Sequence, residues 1–397
     1  MRGRVRLTLL FSLVALLVAG MALPAEATKR KVPFGFFGTT VPHPMADPNR
    51  VSDATLDAQV ALMARSGVES ARSTFAWQDL EPLPGAYNLA ATDRLVAASA
   101  RHGLRALLNV TGTPRWASDQ PDADWWRVPP SDPNRYGELM RQLVLRYGTN
   151  GSFWAQNPGV PKKPVRRWQV WNEQSAPWHW SPRPWGPSYT QLLKAAYGAI
   201  HGADPGAKVV AGSLVAFGND YAPWDAIREL YNAGGKPYFD AVAVHPFTND
   251  PRSVKRTVDQ TVEIVRRVRA QMRRRGDKRK PIILTEMTWP AAKGEIPKGA
   301  LLGLSTSSRG QAARLEGAYR KLARVRKKLR VTEVYWYAWA TEYSKIGADS
   351  VLAFRYSGLV RWTGGPFSKM PILKTYARVA ASYEGCRKGA NARRCRG

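Results

Sequence analysis

The chain of 397 residues carries 60 Lys and Arg against 30 Asp and Glu, a formal charge of +30, with 15 tryptophans and two cysteines. So basic a chain raises nucleic acid as a partner, but much of the charge lies on the outer faces of helical patterns, which argues against it. What the charge does allow is non-specific attraction to anionic cell-wall polymers or acidic polysaccharide.

The first 27 residues read as an address. Arg2, Arg4 and Arg6 precede the almost wholly apolar run Leu7–Leu23, and Ala25-Glu26-Ala27 fits a small-residue cleavage site. Pro24 and that site favour a cleaved signal peptide, residues 1–27, over an uncleaved membrane anchor. No later stretch is long and apolar enough to span a bilayer, so the mature chain is expected to be secreted, with no stable membrane insertion. Residues 28–385 show no composition shift, linker or repeat and read as one domain. Residues 386–397 form a short basic tail, where Cys386 and Cys395 either close a small loop in an oxidising compartment or stay free.

Short β-like runs alternate with amphipathic helices from residue 34 onward. The predicted strands are Phe34–Thr39, Glu69–Phe75, Arg105–Val110, Arg167–Trp171, Lys208–Gly212, Ala241–Val244, Ile282–Thr285 and Glu333–Trp336. Between the first two, Leu56, Val60 and Met63 form an apolar stripe that stops at Gly67; Leu95, Val96 and Ser99 do the same before Gly103. Asp132-Pro133 reads as an N-cap followed by proline in the first helical turn. Tyr189–His201, Gly310–Leu329 and Ile372–Tyr383 are further helices. Val254, Val258, Val262, Val265, Val268 and Met272 make an inward stripe whose opposite face carries Lys255, Arg256, Arg266, Arg267, Arg269 and Arg273. Eight strands each followed by a helix predict an α/β fold, a (β/α)8 TIM barrel; a doubly wound open sheet lacks its glycine-rich phosphate loop here.

Two glutamates sit directly after predicted strands, in Trp171-Asn172-Glu173 and Leu284-Thr285-Glu286, 113 residues apart. Three strand-helix units of about 31 residues each, plus loop insertions, span that interval and bring both to the C-terminal end of one barrel. Two carboxylates facing each other across a cleft are what glycosidic bond cleavage requires. Ten tryptophans, among them Trp116, Trp178, Trp180 and Trp339, fall in the segments after the strands. Indole stacks on the apolar faces of sugar rings, and some of these rings must instead pack the loops. The five histidines have no metal-ligand spacing and there is no G-x-S-x-G nucleophile signature, so neither metal nor cofactor is expected.

The whole set resembles clan A of the glycoside hydrolases, the retaining (β/α)8 enzymes, and most nearly the branch around family 39 and the cellulase-like enzymes. The resemblance runs from about Val32 to Tyr383. It rests on Asn172-Glu173 at the fourth strand and Glu286 at the seventh, supported by several shorter matches. These are Arg72 in Ser70-Ala71-Arg72, Trp77 with Glu81-Pro82 and Pro84-Gly85-Ala86-Tyr87, Thr113-Pro114-Arg115-Trp116-Ala117, His245-Pro246-Phe247, and Trp339. It implies a carbohydrate substrate, Glu173 as general acid/base with a raised pKa, and Glu286 as nucleophile with Arg72 as its charge partner. Asn172 would bond the sugar 2-hydroxyl, His245 would hold a carboxylate or a sugar hydroxyl, and Trp339 would floor the subsite of cleavage, with Trp116 and Trp178 as further substrate contacts. Many clan members carry a tyrosine where Phe247 stands. A phenyl ring cannot donate to the nucleophile, so His245 or a hydroxyl from another loop must do so, or the nucleophile is less well tuned. The alternative function is a catalytically weak barrel that binds cell-surface polysaccharide.

Overall fold

The computed structural model describes residues 30–216, 222–298, 303–342 and 349–384; the leader and both cysteines lie outside them. Eight parallel strands close into a barrel in chain order: β1 (Phe37–Thr40), β2 (Ser70–Ala76), β3 (Arg105–Thr111), β4 (Arg167–Val170), β5 (Lys208–Val215), β6 (Ala241–His245), β7 (Ile282–Met287) and β8 (Val331–Trp336), with β8 pairing back to β1. The eight predicted strands are all present. The first starts three residues late because Gly35 takes a left-handed backbone, φ 96°, and turns its N–H to the Glu69 carboxylate at 2.6 Å. The fourth ends one residue early, where Trp171 leaves the ladder.

The long helices are α2 (Asp53–Arg65), α4 (Ala90–Arg101), α5 (Pro133–Tyr147), α7 (Trp185–Ala203), α8 (Pro223–Asn232), α9 (Val254–Arg274), α10 (Ser308–Leu329) and α11 (Pro371–Glu384), with short turns α1 (His43–Ala46), α3 (Trp77–Leu80) and α6 (Ser152–Gln156) among them. Asp132 caps α5 as expected, accepting from the N–H of Asn134 at 2.9 Å. Gly67 and Gly103 end their helices at φ 88° and 74°, where a Cβ would be strained. A small sheet of β9 (Ala340–Glu342), β10 (Val360–Trp362) and β11 (Ser368–Lys369) follows β8. Strands of two or three residues carry no readable alternation, and the sequence did not announce them. Among the described residues no helix is long and apolar enough to cross a membrane.

Most of the core lies between strands and helices. A separate cluster of Leu107, Val210, Ala241, Ala243, Ile283 and Tyr335 fills the inside of the barrel. Further along the same inward faces the residues turn polar, with Arg72, Asn109, Gln169 and Ser213 all buried. One expectation fails on α9: Arg269 is not on the solvated face. It is buried, donating to the Leu329 and Lys280 carbonyls at 2.9 and 2.7 Å, and burial pulls its guanidinium down to about 10. Its position, one residue after Val268, puts it at the edge of the stripe, where a long side chain reaches inward past the helix.

Candidate active site

Arg72 organises the polar end of the barrel. It stands in β2, fully buried, and each of its nitrogens has a different acceptor: Nε donates to Gln169 Oε1 at 2.9 Å, Nη1 to Glu286 Oε1 at 2.8 Å and Nη2 to Asn172 Oδ1 at 2.8 Å. One guanidinium thus ties β2 to the ends of β4 and β7. A buried cation is costly unless it is paired and hydrogen-bonded, and here all three nitrogens of the planar fork donate, one of them to a carboxylate. The arginine is indeed the charge partner of Glu286 that the sequence pointed to.

The chain turns sharply after β4. Trp171 and Glu173 both take left-handed backbone, φ 66° and 51°, which costs about 1–2 kcal/mol at each non-glycine residue. Burial of the indole offsets that cost. Trp171 is fully enclosed, its N–H bonds the Val110 carbonyl at 2.9 Å, its Nε1 bonds the His179 carbonyl at 2.8 Å, and Trp180 packs edge-on at 4.9 Å. Gly212 of β5 lets the loop approach, since a Cβ there would meet the Val170 carbonyl at 2.8 Å. The turn leaves Asn172 with its amide oxygen taken by Arg72 and by the Ser213 hydroxyl at 3.1 Å. Its NH2 makes no hydrogen bond among the described residues and is free to donate.

Glu173 is held between two histidines. His245 Nδ1 lies 2.6 Å from Oε1 and His179 Nε2 lies 3.2 Å from Oε2, while only 11% of the carboxylate side chain reaches solvent. Burial alone would raise its pKa, but the hydrogen bonds from His179 and then His245 outweigh burial and hold the carboxyl well below the usual range. This direction is the opposite of the raised pKa that the resemblance implies for the acid. At 2.6 Å the His245 ring and the Glu173 carboxylate are hydrogen-bonded to each other. His179 was missed by the sequence reading. Its only signal was its place six residues after Glu173 in the same loop.

Glu286 ends β7 beside Thr285. His245 Nε2 is 3.8 Å from its Oε1 but bonds the Thr285 hydroxyl at 2.9 Å. His245 therefore serves Glu173, and does not replace the missing tyrosine hydroxyl at Glu286. Phe247 is buried beside His245 and Phe354. A phenol does approach from elsewhere: Tyr337, just past β8, is raised by burial and by the negative charges of Glu286 and Glu173. One ligating atom each from Glu173, His245 and Glu286 lie within 4.8 Å of one another. Arg72 already compensates one carboxylate, and both His245 nitrogens have hydrogen-bond partners within the cluster.

The tryptophans divide. Trp77, Trp180, Trp185, Trp289 and Trp339 are fully buried. Trp339 bonds Gln59 of α2 at 3.1 Å, and with no open ring face it packs the barrel rather than floors a subsite, a correction to the sequence expectation. Trp116 is half-buried, bonded to the Glu81 carbonyl at 3.2 Å and edge-on to Trp77. Glu81 itself joins Trp77 Nε1 and the Gly85 N–H at 2.7 and 2.8 Å, so this motif organises a loop. Trp178 and Trp126 keep open rings, each 38% exposed.

Comparison with known proteins agrees with the resemblance read from the sequence. Residues 46–127 match the family model described as beta-galactosidase, a stretch that includes Arg72 and Trp116 and ends before either glutamate. No curated protein matches the chain. Solved structures share the fold. A family 39 glycoside hydrolase from the gut symbiont Bacteroides cellulosilyticus is 19% identical, with a TM-score of 0.61 over 88% of this chain and 64% of that one. A glucosidase from Croceicoccus marinus is 17% identical, with a TM-score of 0.64 over 90% and 70%. An exo-β-1,4-mannosidase from an Opitutaceae bacterium is 17% identical, with a TM-score of 0.58 over 91% and 62%. The chain thus spans less than two thirds of the first and third of these.

Proposed function

We propose that the protein is a secreted retaining glycoside hydrolase that cleaves a β-linked glycan by double displacement. The signal peptide 1–27 would be removed, and residues 28–385 would form the catalytic domain. The observation that carries this reading is the pairing of Glu173 and Glu286 at the ends of β4 and β7, with one carboxylate oxygen of each within 4.8 Å of the other. Retaining enzymes need carboxyl groups about 5–5.5 Å apart, whereas inverting ones leave about 6.5–9.5 Å for a water.

Glu286, ion-paired with Arg72, attacks the anomeric carbon. Glu173, hydrogen-bonded to His245, gives a proton to the leaving oxygen. When a sugar occupies the site and excludes water, the Glu173–His245 pair is further desolvated, which favours the proton on the carboxylate. Glu173 then takes a proton from the incoming water. Asn172 donates to the 2-hydroxyl, and Trp178 and Trp116 offer apolar surface to the sugar.

The similar proteins are named for galactoside, glucoside and mannoside chemistry, so the test is a panel of aryl β-galactosides, β-glucosides, β-mannosides and β-xylosides with β-glucans, the first-formed anomer being followed by proton NMR. Turnover with the β-anomer formed first is the expected result. An α-anomer formed first, or no turnover on any glycan that binds, refutes the proposal; binding without turnover would identify a polysaccharide-binding barrel.

A further inference from the structure

Exposed cations are concentrated at the C-terminal ends of α9 and α10. Along the upper and middle turns of α9 and α10 several cations have partners, Lys255 with Asp259 at 2.9 Å, Arg267 with Glu263 at 3.1 Å and Arg320 with Glu316 at 2.9 Å, while Arg309 and Arg324 are exposed with no carboxylate within 4.0 Å among the described residues. At the C-terminal ends of the same helices, and in the turns that follow, Arg274, Lys278, Arg279, Lys327, Lys328 and Arg330 are all exposed. None of these six has a carboxylate within 4.0 Å or a side-chain hydrogen bond among the described residues. Cations near a helix C-terminus complement the helix dipole, but that effect fades within one turn. It accounts for one or two charges per helix and not for the excess, whose mutual repulsion is unfavourable without a counter-charge.

Topology places this cluster. α9 and α10 precede β7 and β8, so their C-terminal ends lie at the start of the strands, on the pole opposite Glu173 and Glu286. Backbone contacts hold the patch together: Arg273 donates to the Lys328 carbonyl at 3.1 Å and Lys236 to the Arg275 carbonyl at 2.6 Å. The first and last described segments meet at the same pole, where the Lys31 N–H bonds the Tyr383 carbonyl at 2.9 Å and Arg326 donates to the Lys31 carbonyl at 3.2 Å. Beyond them in sequence, residues 385–397 add five Lys or Arg and no Asp or Glu, and the apolar run Leu7–Leu23 is joined through Arg30.

We propose that this pole docks on an anionic phospholipid bilayer, so that the glutamate pair faces away from the membrane. The basic pole offers six exposed cations from the ends of α9 and α10 and the turns that follow, none with a carboxylate within 4.0 Å among the described residues, which suits a surface of many phosphates. The segment that leads to the apolar leader joins the barrel there, which presents that pole to the bilayer during export. The interaction is peripheral, electrostatic and independent of the glycosidase reading.

The test is cosedimentation of the chain from Thr28 onward with vesicles of phosphatidylcholine alone or with about 30% phosphatidylglycerol, in about 0.1 M salt. Binding only to the anionic vesicles is expected. The combined variant Arg274→Glu, Lys278→Glu, Arg279→Glu, Lys327→Glu and Lys328→Glu should bind at least about tenfold more weakly. A control with the same change in charge on the barrel wall, Arg135→Glu, Arg141→Glu, Lys194→Glu, Arg228→Glu and Lys255→Glu, should bind at least about fivefold more tightly than the pole variant. Equal losses in both, or no binding by the parent chain, overturn the proposal, and so does tighter binding to duplex nucleic acid or to a soluble poly(glycerol phosphate) than to vesicles. Amide exchange on the unmutated protein gives a second measure: vesicles should protect residues 273–280 and 324–331, and lack of protection there overturns the proposal even if the pole variant fails to fold. Turnover of a soluble aryl glycoside should be the same in both variants, which separates this result from the outcome of the glycosidase test.

Discussion

Arg72 Nη1 lies 2.8 Å from Glu286 Oε1, with the guanidinium wholly buried and the carboxylate side chain 12% exposed. The pair spans the barrel from β2 to β7, and the same guanidinium reaches Asn172 at the end of β4. The placement of the Glu286 carboxylate, the proposed nucleophile, and that of the Asn172 amide therefore depend on one side chain. Arg72→Lys keeps the charge and loses the fork, so kcat should fall by about a hundredfold. Arg72→Ala leaves Glu286 buried without its cation and should cost about 3–5 kcal/mol in denaturant unfolding. An unchanged midpoint for Arg72→Ala would mean that the ion pair does not form in solution.

The two carboxylates separate by chemical rescue. Glu286→Ala should leave almost no turnover on any substrate. Glu173→Ala should still form the glycosyl-enzyme on an aryl glycoside with a good leaving group and then stall, because both protonation and water activation are lost. Azide should restore turnover and yield the β-glycosyl azide. An α-azide product, or full activity in either variant, would reverse the assignment.

His179 adjusts the proton on Glu173. Its hydrogen bond holds the carboxyl down, so His179→Ala should raise the pKa of the acid and move the basic limb of kcat/KM to higher pH. His179→Asn keeps a donor and should restore most of the original profile. Identical limbs in all three proteins would show that His245 alone sets the proton. A merely structural role for His179 would lower activity at every pH without moving the limb.

Trp178 presents an open ring in the loop that carries Glu173. Trp178→Ala should raise KM for an oligosaccharide by about tenfold with little change in kcat, as lost uniform binding does. Trp339→Ala should instead lower stability by about 3–5 kcal/mol, since it empties a buried site. The opposite pattern would restore Trp339 as a substrate contact.

Acid stability has a marker away from the site. Glu316 on α10 is lowered to about 2, chiefly by hydrogen bonds from Arg378 of α11 and from Arg320. A depressed carboxyl contributes stability above its unfolded pKa of about 4.3, and that contribution is lost as pH falls toward about 2. Glu316→Gln should cost about 1–2 kcal/mol at pH 7, allowing for partial exposure, and nothing near pH 2. Equal losses at both values would assign the effect to packing.

The barrel was legible because parallel strands buried on both faces read as short apolar runs, and because Gly67, Gly103 and Asp132 punctuate the helices with local backbone chemistry. Glu173, Glu286 and Arg72 stood out because charged residues at strand ends or within strands need a partner or a purpose. Arg269 was misplaced, since the same helical periodicity holds whether a long side chain bends outward or inward. β9, β10 and β11 were too short to leave a pattern.

The sequence by itself determined the repeating strand-helix order, the closed fold and the identity of the paired glutamates, all properties of local pattern and chain spacing. Only the tertiary structure decided which groups are hydrogen-bonded in the site and which rings remain open. His179 and His245, 66 residues apart, meet on one carboxylate and lower a pKa that isolated burial would raise. Trp339 and Trp178 are the same side chain after different strands, yet one is enclosed and one is exposed. Electrostatic coupling and solvent exposure depend on every neighbour in three dimensions, and no window of sequence contains those neighbours.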